Sequence, residues 1–171
     1  MKTIKKTIYV TFLCLSVILA SCSGDDDNND GDDDGGTGGT GGTEFLTAKV
    51  DGANFEAAQS PAVIVGATSG NGLMTFQGGT NEGKTIRGSV FNYDGAGTYT
   101  TGDNITNVNS LSYITLPNNL WNSTFDIGSG TITITSDDGT TIEGTFSFEG
   151  FNASDGTTKN ITEGSFKAII E

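Results

Sequence analysis

The sequence predicts an all-β protein, an antiparallel β-sandwich or flattened β-barrel of about 8–11 largely hairpin-connected strands. Two observations predict it. From Glu44 to Glu171, apolar and polar side chains alternate with a period of two, and no stretch shows helical periodicity of useful length. Between the alternating runs stand dipeptides that tolerate positive φ: Asp51-Gly52, Asn71-Gly72, Asp94-Gly95, Asp138-Gly139 and Asp155-Gly156. Strands are expected over 45–50, 54–58, 62–67, 73–77, 84–92, 97–101, 110–116, 123–127, 131–136, 141–149 and 160–170, with loops over 102–109 and 117–121.

Thr141–Glu149 alternates most cleanly. Ile142, Gly144, Phe146 and Phe148 share one face, and Thr141, Glu143, Thr145, Ser147 and Glu149 share the other. Residues i and i+2 of a strand face the same way, so one side is buried and one is wet. Ile132 and Ile134 repeat the pattern in 131–136. In the last strand Gly164, Phe166, Ala168 and Ile170 lie on one face and Ile161, Lys167 and Ile169 on the other, so its alternation is less clean. Hairpin turns make 131–170 a three-stranded meander.

Three strands echo one another: Ile86-Arg87-Gly88-Ser89-Val90, Ile142-Glu143-Gly144-Thr145-Phe146 and Thr162-Glu163-Gly164-Ser165-Phe166. Glycine weakens a strand unless a bulge, a bend or a close neighbour needs its bareness. Sheet curvature is the expected reason, and a ligand pressed against the glycines is the alternative.

The first 43 residues read differently. Met1–Lys6 is short and basic, and Ile8–Leu19 is apolar but shorter than the roughly 20 residues that span a bilayer. Leu19-Ala20-Ser21-Cys22 follows and resembles the lipobox of bacterial lipoproteins at all four positions. That resemblance implies a diacylglyceryl group on the Cys22 sulfur and a cut between Ser21 and Cys22, so that residues 1–21 are a signal peptide. Ser23–Thr43 is built from Ser, Gly, Thr, Asn and seven aspartates, with no large apolar side chain. Such a segment cannot offset its ordering entropy and is expected to be a disordered tether with a typical end-to-end distance of ~25 Å. Residues 22–43 are thus anchor and tether, and 44–171 is the domain.

The run Ser23-Gly24-Asp25-Asp26-Asp27 resembles the acidic surface-export signal of Bacteroidetes lipoproteins. Asp26, Asn28, Asp30, Gly31 and Asp32 echo the opening of an EF-hand loop, but Asp33 stands at its hydrophobic position and Thr37 at its bidentate glutamate. No metal site is expected, and no cofactor beyond the covalent lipid.

Charge narrows the partners. Three of the eight cations precede Cys22 and none of the 21 acids does, so the mature chain would carry −16. Such a surface repels phosphate backbones, which excludes nucleic acid. Both cysteines, Cys14 and Cys22, fall in the leader and its cleavage site, so the domain is expected to have no disulfide. The chain has no histidine, hence no histidine base for its many serines and threonines. A lysine could replace it, but Lys49, Lys84, Lys159 and Lys167 sit in no Ser-x-x-Lys pattern. An enzyme is not expected.

Trp121, Tyr93, Tyr99 and Tyr113 are the candidate ligand-binding residues. Trp121 follows Pro117-Asn118-Asn119-Leu120, where a loop would expose it as part of a sugar-stacking row. Residues 44–171 also resemble a group of small uncharacterised lipoprotein domains from Bacteroidetes. The likeness rests on Ala48-Lys49-Val50-Asp51-Gly52-Ala53-Asn54-Phe55, on Gly97-Thr98-Tyr99, and on Ile142-Glu143-Gly144-Thr145-Phe146-Ser147-Phe148 with Gly164-Ser165-Phe166. It implies an all-β fold and carries no activity over. The expectation is a non-enzymatic lipoprotein held in the outer membrane by its lipid, facing the exterior. It would meet the lipoprotein processing and export machinery and then an unidentified protein or glycan. The alternatives are a glycan-binding accessory protein of an outer-membrane uptake system and a barrel for a small apolar ligand.

Overall fold

Eleven strands follow one another in the computed structural model, which describes residues 44–58 and 65–171. The expected signal peptide (residues 1–21), Cys22, the Asp25–Asp27 run and the EF-hand-like spacing lie outside the described residues. The strands are β1 (Phe45–Val50), β2 (Ala53–Glu56), β3 (Gly66–Gly70), β4 (Leu73–Gly79), β5 (Lys84–Phe91) and β6 (Gly97–Thr101). They continue with β7 (Ser110–Thr115), β8 (Asn119–Thr124), β9 (Ser129–Asp137), β10 (Thr141–Asn152) and β11 (Thr157–Ile169).

All belong to one antiparallel sheet in the order β2-β1-β11-β10-β8-β7-β5-β4-β3, with β9 on β10 and β6 on β9. β10 changes neighbours along its length: Ile142–Glu149 pairs with β9, and Phe151 pairs with Asn122 of β8. At the other end of the path, Ala67 of β3 bridges Ile170, and the Glu171 amide donates to the Ala67 carbonyl at 3.0 Å. The sheet therefore curls strongly on itself into a half-barrel. The expected all-β class holds, as does the β9-β10-β11 meander.

Two hairpins show why the turn dipeptides matter. Val50 pairs with Ala53 around Asp51 and Gly52, at φ 49° and 83°, and Gly70 pairs with Leu73 around Asn71 and Gly72, at φ 54° and 71°. Positive φ at both central residues matches the right-handed twist of the strands they join. Asp94-Gly95 does not close a hairpin. It sends the chain from β5 to β6 on the far side of the sheet, where β6 pairs with β9, and β7 returns to pair with β5.

The repeated glycines have a packing reason. Gly88 lies directly opposite Phe76, Gly144 opposite Phe166, and Gly164 opposite Phe146. A Cβ at Gly164 would fall 2.5 Å from the Phe146 ring, one at Gly144 would fall 2.8 Å from the Phe166 ring, and one at Gly88 would collide with the Phe76 ring. On β10 and β11 the arrangement is reciprocal, each strand's phenylalanine covering the other's glycine. The three rings then meet across the curl: Phe76 stacks on Phe166 at 4.0 Å between centroids, and Phe146 packs 5.5 Å from Phe76. Bare backbone lets the strands coil and seats the rings at the centre of the core.

Four sequence expectations are corrected. The third strand runs over Gly66–Gly70 rather than 62–67, of which 62–64 lie outside the described residues. The eighth is Asn119–Thr124 rather than 123–127, because Pro117 and Asn118 suffice for the turn and Phe125, at φ 54°, ends the strand. Trp121 is therefore in a strand, not a loop. Ile161 is buried with Phe166 rather than facing the opposite way. Phe146 pairs with Gly164 while Phe148 pairs with Ile161, so β11 spends one extra residue in a bulge. Glu163 takes φ 53° there, and the bulge flips the alternation.

Candidate functional site

The four aromatic candidates do not form an exposed row. They form two pairs, Tyr93 with Tyr99 at 5.8 Å and Tyr113 with Trp121 at 5.7 Å. Trp121 is 7% exposed and Tyr113 6%. Trp121 donates its Nε1 hydrogen to Thr157 at 2.9 Å, and the Lys159 ammonium covers its ring. The Tyr93 hydroxyl donates to Asp137 at 2.6 Å, and the Tyr99 hydroxyl donates to the Gly95 carbonyl at 2.7 Å. Burial, reinforced by the acceptor carboxylates Asp137 and Asp94, pushes both phenols above their ordinary pKa. These tyrosines brace the β5–β6 crossing against β9. A buried indole with its donor satisfied and its face covered offers no stacking surface.

The lysines are also engaged. Lys49 pairs with Glu163, Lys84 with Glu82, Lys159 with Asp51 and Lys167 with Glu143, at 2.6–2.8 Å. The hydrogen bond that the Lys84 ammonium donates to the Glu82 carboxylate holds its pKa above the ordinary value. An ammonium held in its charged form is a poor general base.

The wet face of the β6-β9-β10-β11 half carries a groove of about 540 Å³. Strand register arranges its floor in two rows. Thr100, Thr131 and Ser147 lie opposite one another on β6, β9 and β10, and Thr162 continues the row onto β11 at the bulge. Ser129, Glu149 and Asn160 form the second row on β9, β10 and β11. Across strands the spacing is ~4.8 Å, and between rows ~6.8 Å. Asp103 stands at the β6 end and accepts hydrogen bonds from Thr100 at 2.7 Å and Asn107 at 2.7 Å. The Thr100 and Asn107 bonds lower the Asp103 carboxyl below its usual range, so it stays ionised.

This groove was not among the candidates read from the sequence. Its residues were visible there only as polar alternation, in Thr98-Tyr99-Thr100, Thr131–Thr135 and Thr145–Ser147. Their convergence depends on β6 pairing with β9, which no local pattern announces. Another hollow, of about 460 Å³, lies between β2 and the Thr80–Lys84 turn.

The fold and this surface define a class: a small all-β domain, one curled antiparallel sheet with an aromatic-filled interior and a hydroxyl-rich outer groove. The chain belongs to the family described as Domain of unknown function (DUF6252), which matches residues 42–170. No curated protein and no solved structure matches the chain.

Proposed function

We infer that the chain is a lipid-anchored protein of the bacterial outer membrane that presents its β domain to the exterior as a non-enzymatic binding or accessory module. One observation carries the reading: a basic start, an apolar run and Leu19-Ala20-Ser21-Cys22 stand ahead of an acidic tether and a separate β domain. The cysteine thiol is the only group at that site able to carry the lipid as a thioether. The acidic run Asp25–Asp27 supports export to the outer face, and the likeness to Bacteroidetes lipoprotein domains agrees with it.

The non-enzymatic part of the reading draws on the ion-paired lysines and on the lack of histidine. The small-ligand barrel is less well supported, because Phe76, Phe146 and Phe166 fill the interior that such a ligand would occupy. Growth with labelled fatty acid tests the anchor. The wild-type chain is expected to incorporate label, and Cys22→Ala to incorporate none and to accumulate unprocessed. Label retained by Cys22→Ala contradicts the reading.

A further inference from the structure

We propose that the two-row groove over β6, β9, β10 and β11 is a binding site for a neutral polyhydroxylated chain, a polysaccharide of uncharged pyranose units running across the strands. The inference rests on the surface-module reading above and names its ligand class. The floor chemistry carries it. Thr131, Ser147 and Thr162 present hydroxyls that donate and accept, Asn160 presents an amide that does both, and Glu149 presents an acceptor. This mixture matches the hydroxyls of a sugar, each of which also donates and accepts.

The side chains of Thr131, Ser147, Glu149, Asn160 and Thr162 make no hydrogen bond among the described residues, so their capacity faces outward. Elsewhere hydroxyls are used internally, as in the buried Thr101–Ser123 pair at 2.6 Å. Among the described residues, Asp103 and Glu149 are the charged groups lining the groove, and no cation joins them there. Acidic ligands are therefore repelled and neutral ones admitted.

Geometry sets the direction. The strand spacing of ~4.8 Å is close to the advance of one pyranose unit along an extended polysaccharide. A chain crossing the strands would meet an equivalent polar step at each of four strands, and the second row would contact the substituents on its flank. The groove volume lies within the range of sites that hold small ligands.

The full-length protein in detergent, immobilised and presented with a neutral β-glucan, a mannan, a xylan and the acidic polymer polygalacturonate, tests the proposal. Binding of at least one neutral polymer is expected, and none of polygalacturonate. Ser147→Trp, which fills the floor from an exposed position, is expected to weaken binding at least tenfold. Glu149→Gln is expected to weaken it severalfold, and Thr68→Trp, on the distant β3, to leave it unchanged. Thermal melts of all three variants verify folding. No binding of any neutral polymer, binding indifferent to both Ser147→Trp and Glu149→Gln, or preference for polygalacturonate overturns the proposal. Mass measurement of lipid on the same preparation scores the anchor separately, so failure of the groove and failure of the lipoprotein reading are distinguishable.

Discussion

At the scale of single residues, the glycine–phenylalanine pairs decide how the core closes. At Gly88 the three nearest neighbours of an added Cβ all belong to the Phe76 ring, whereas at Gly164 the Phe146 carbonyl oxygen also lies 2.5 Å away. A side chain can move aside and a strand carbonyl cannot. Gly88→Ala is therefore expected to cost ~1–3 kcal/mol by overpacking. A smaller partner, Phe76→Leu, should recover part of it, with a coupling of at least ~0.5 kcal/mol in a double-mutant cycle. Gly164→Ala combined with Phe146→Leu should recover less, because the backbone contact remains. Urea unfolding of the two cycles measures both, and strict additivity at Gly88 would refute the pairing as the cause of the glycine.

Asp51 works at the same scale through charge. Its carboxylate accepts from the Asn160 backbone N–H at 2.9 Å and from the Lys159 ammonium at 2.6 Å. The Asn160 bond first, and then Lys159, lower its pKa below the ordinary value. A depressed carboxyl stabilises the fold above its unfolded pKa, and that contribution is lost as pH falls through the folded value. Asp51 is 44% exposed, so solvent screening limits the effect to about 0.5–1 kcal/mol. Urea midpoints should show Asp51→Asn less stable than wild type at pH 7, with the gap closing below the folded pKa of Asp51. A gap that widens with acid would reverse the sign and the explanation.

At the scale of the strand, the bulge in β11 is the feature that most reorganises the domain. Without the extra residue, Ile161 and Phe166 would point to opposite faces. With it, both enter the core while Thr162 turns to the groove. The cost sits at Glu163, whose φ of 53° suits glycine better than a branched side chain. Glu163→Gly forfeits only an exposed ion pair with Lys49 and should cost under ~0.5 kcal/mol. Glu163→Val should cost at least ~1 kcal/mol. Equal losses in thermal unfolding would show that the left-handed backbone is not what the position selects. The bulge also marks a limit of legibility. The sequence Thr162-Glu163-Gly164 shows that the alternation breaks near there, but which residue is the extra one depends on the register against β1 and β10. Gly144 and Gly164 were recognisable as unusual for the same reason that their partners were not: a glycine is visible alone, and the ring over it belongs to another strand.

At the scale of the whole molecule, strands and turns were readable because each is local, set by two-residue alternation and positive-φ dipeptides. The curl and the groove were not, because both arise where β6 crosses to β9 and β10 changes partner from β9 to β8. Trp121 illustrates the difference. Pro117 announces a turn nearby, but only the β7–β8 pairing of Tyr113 with Trp121 shows the indole to be inside. On the proposed reading, this domain stands outside the cell. Protease added to intact cells tests this most directly, since cleavage within Ser23–Thr43, the proposed tether, would free the domain. Release of a β-rich fragment matching 44–171 into the medium while a periplasmic marker stays intact is expected, with less release after Asp25, Asp26 and Asp27 are all changed to Ala. Release only after the outer membrane is opened would place the domain on the inner side and contradict display at the cell surface.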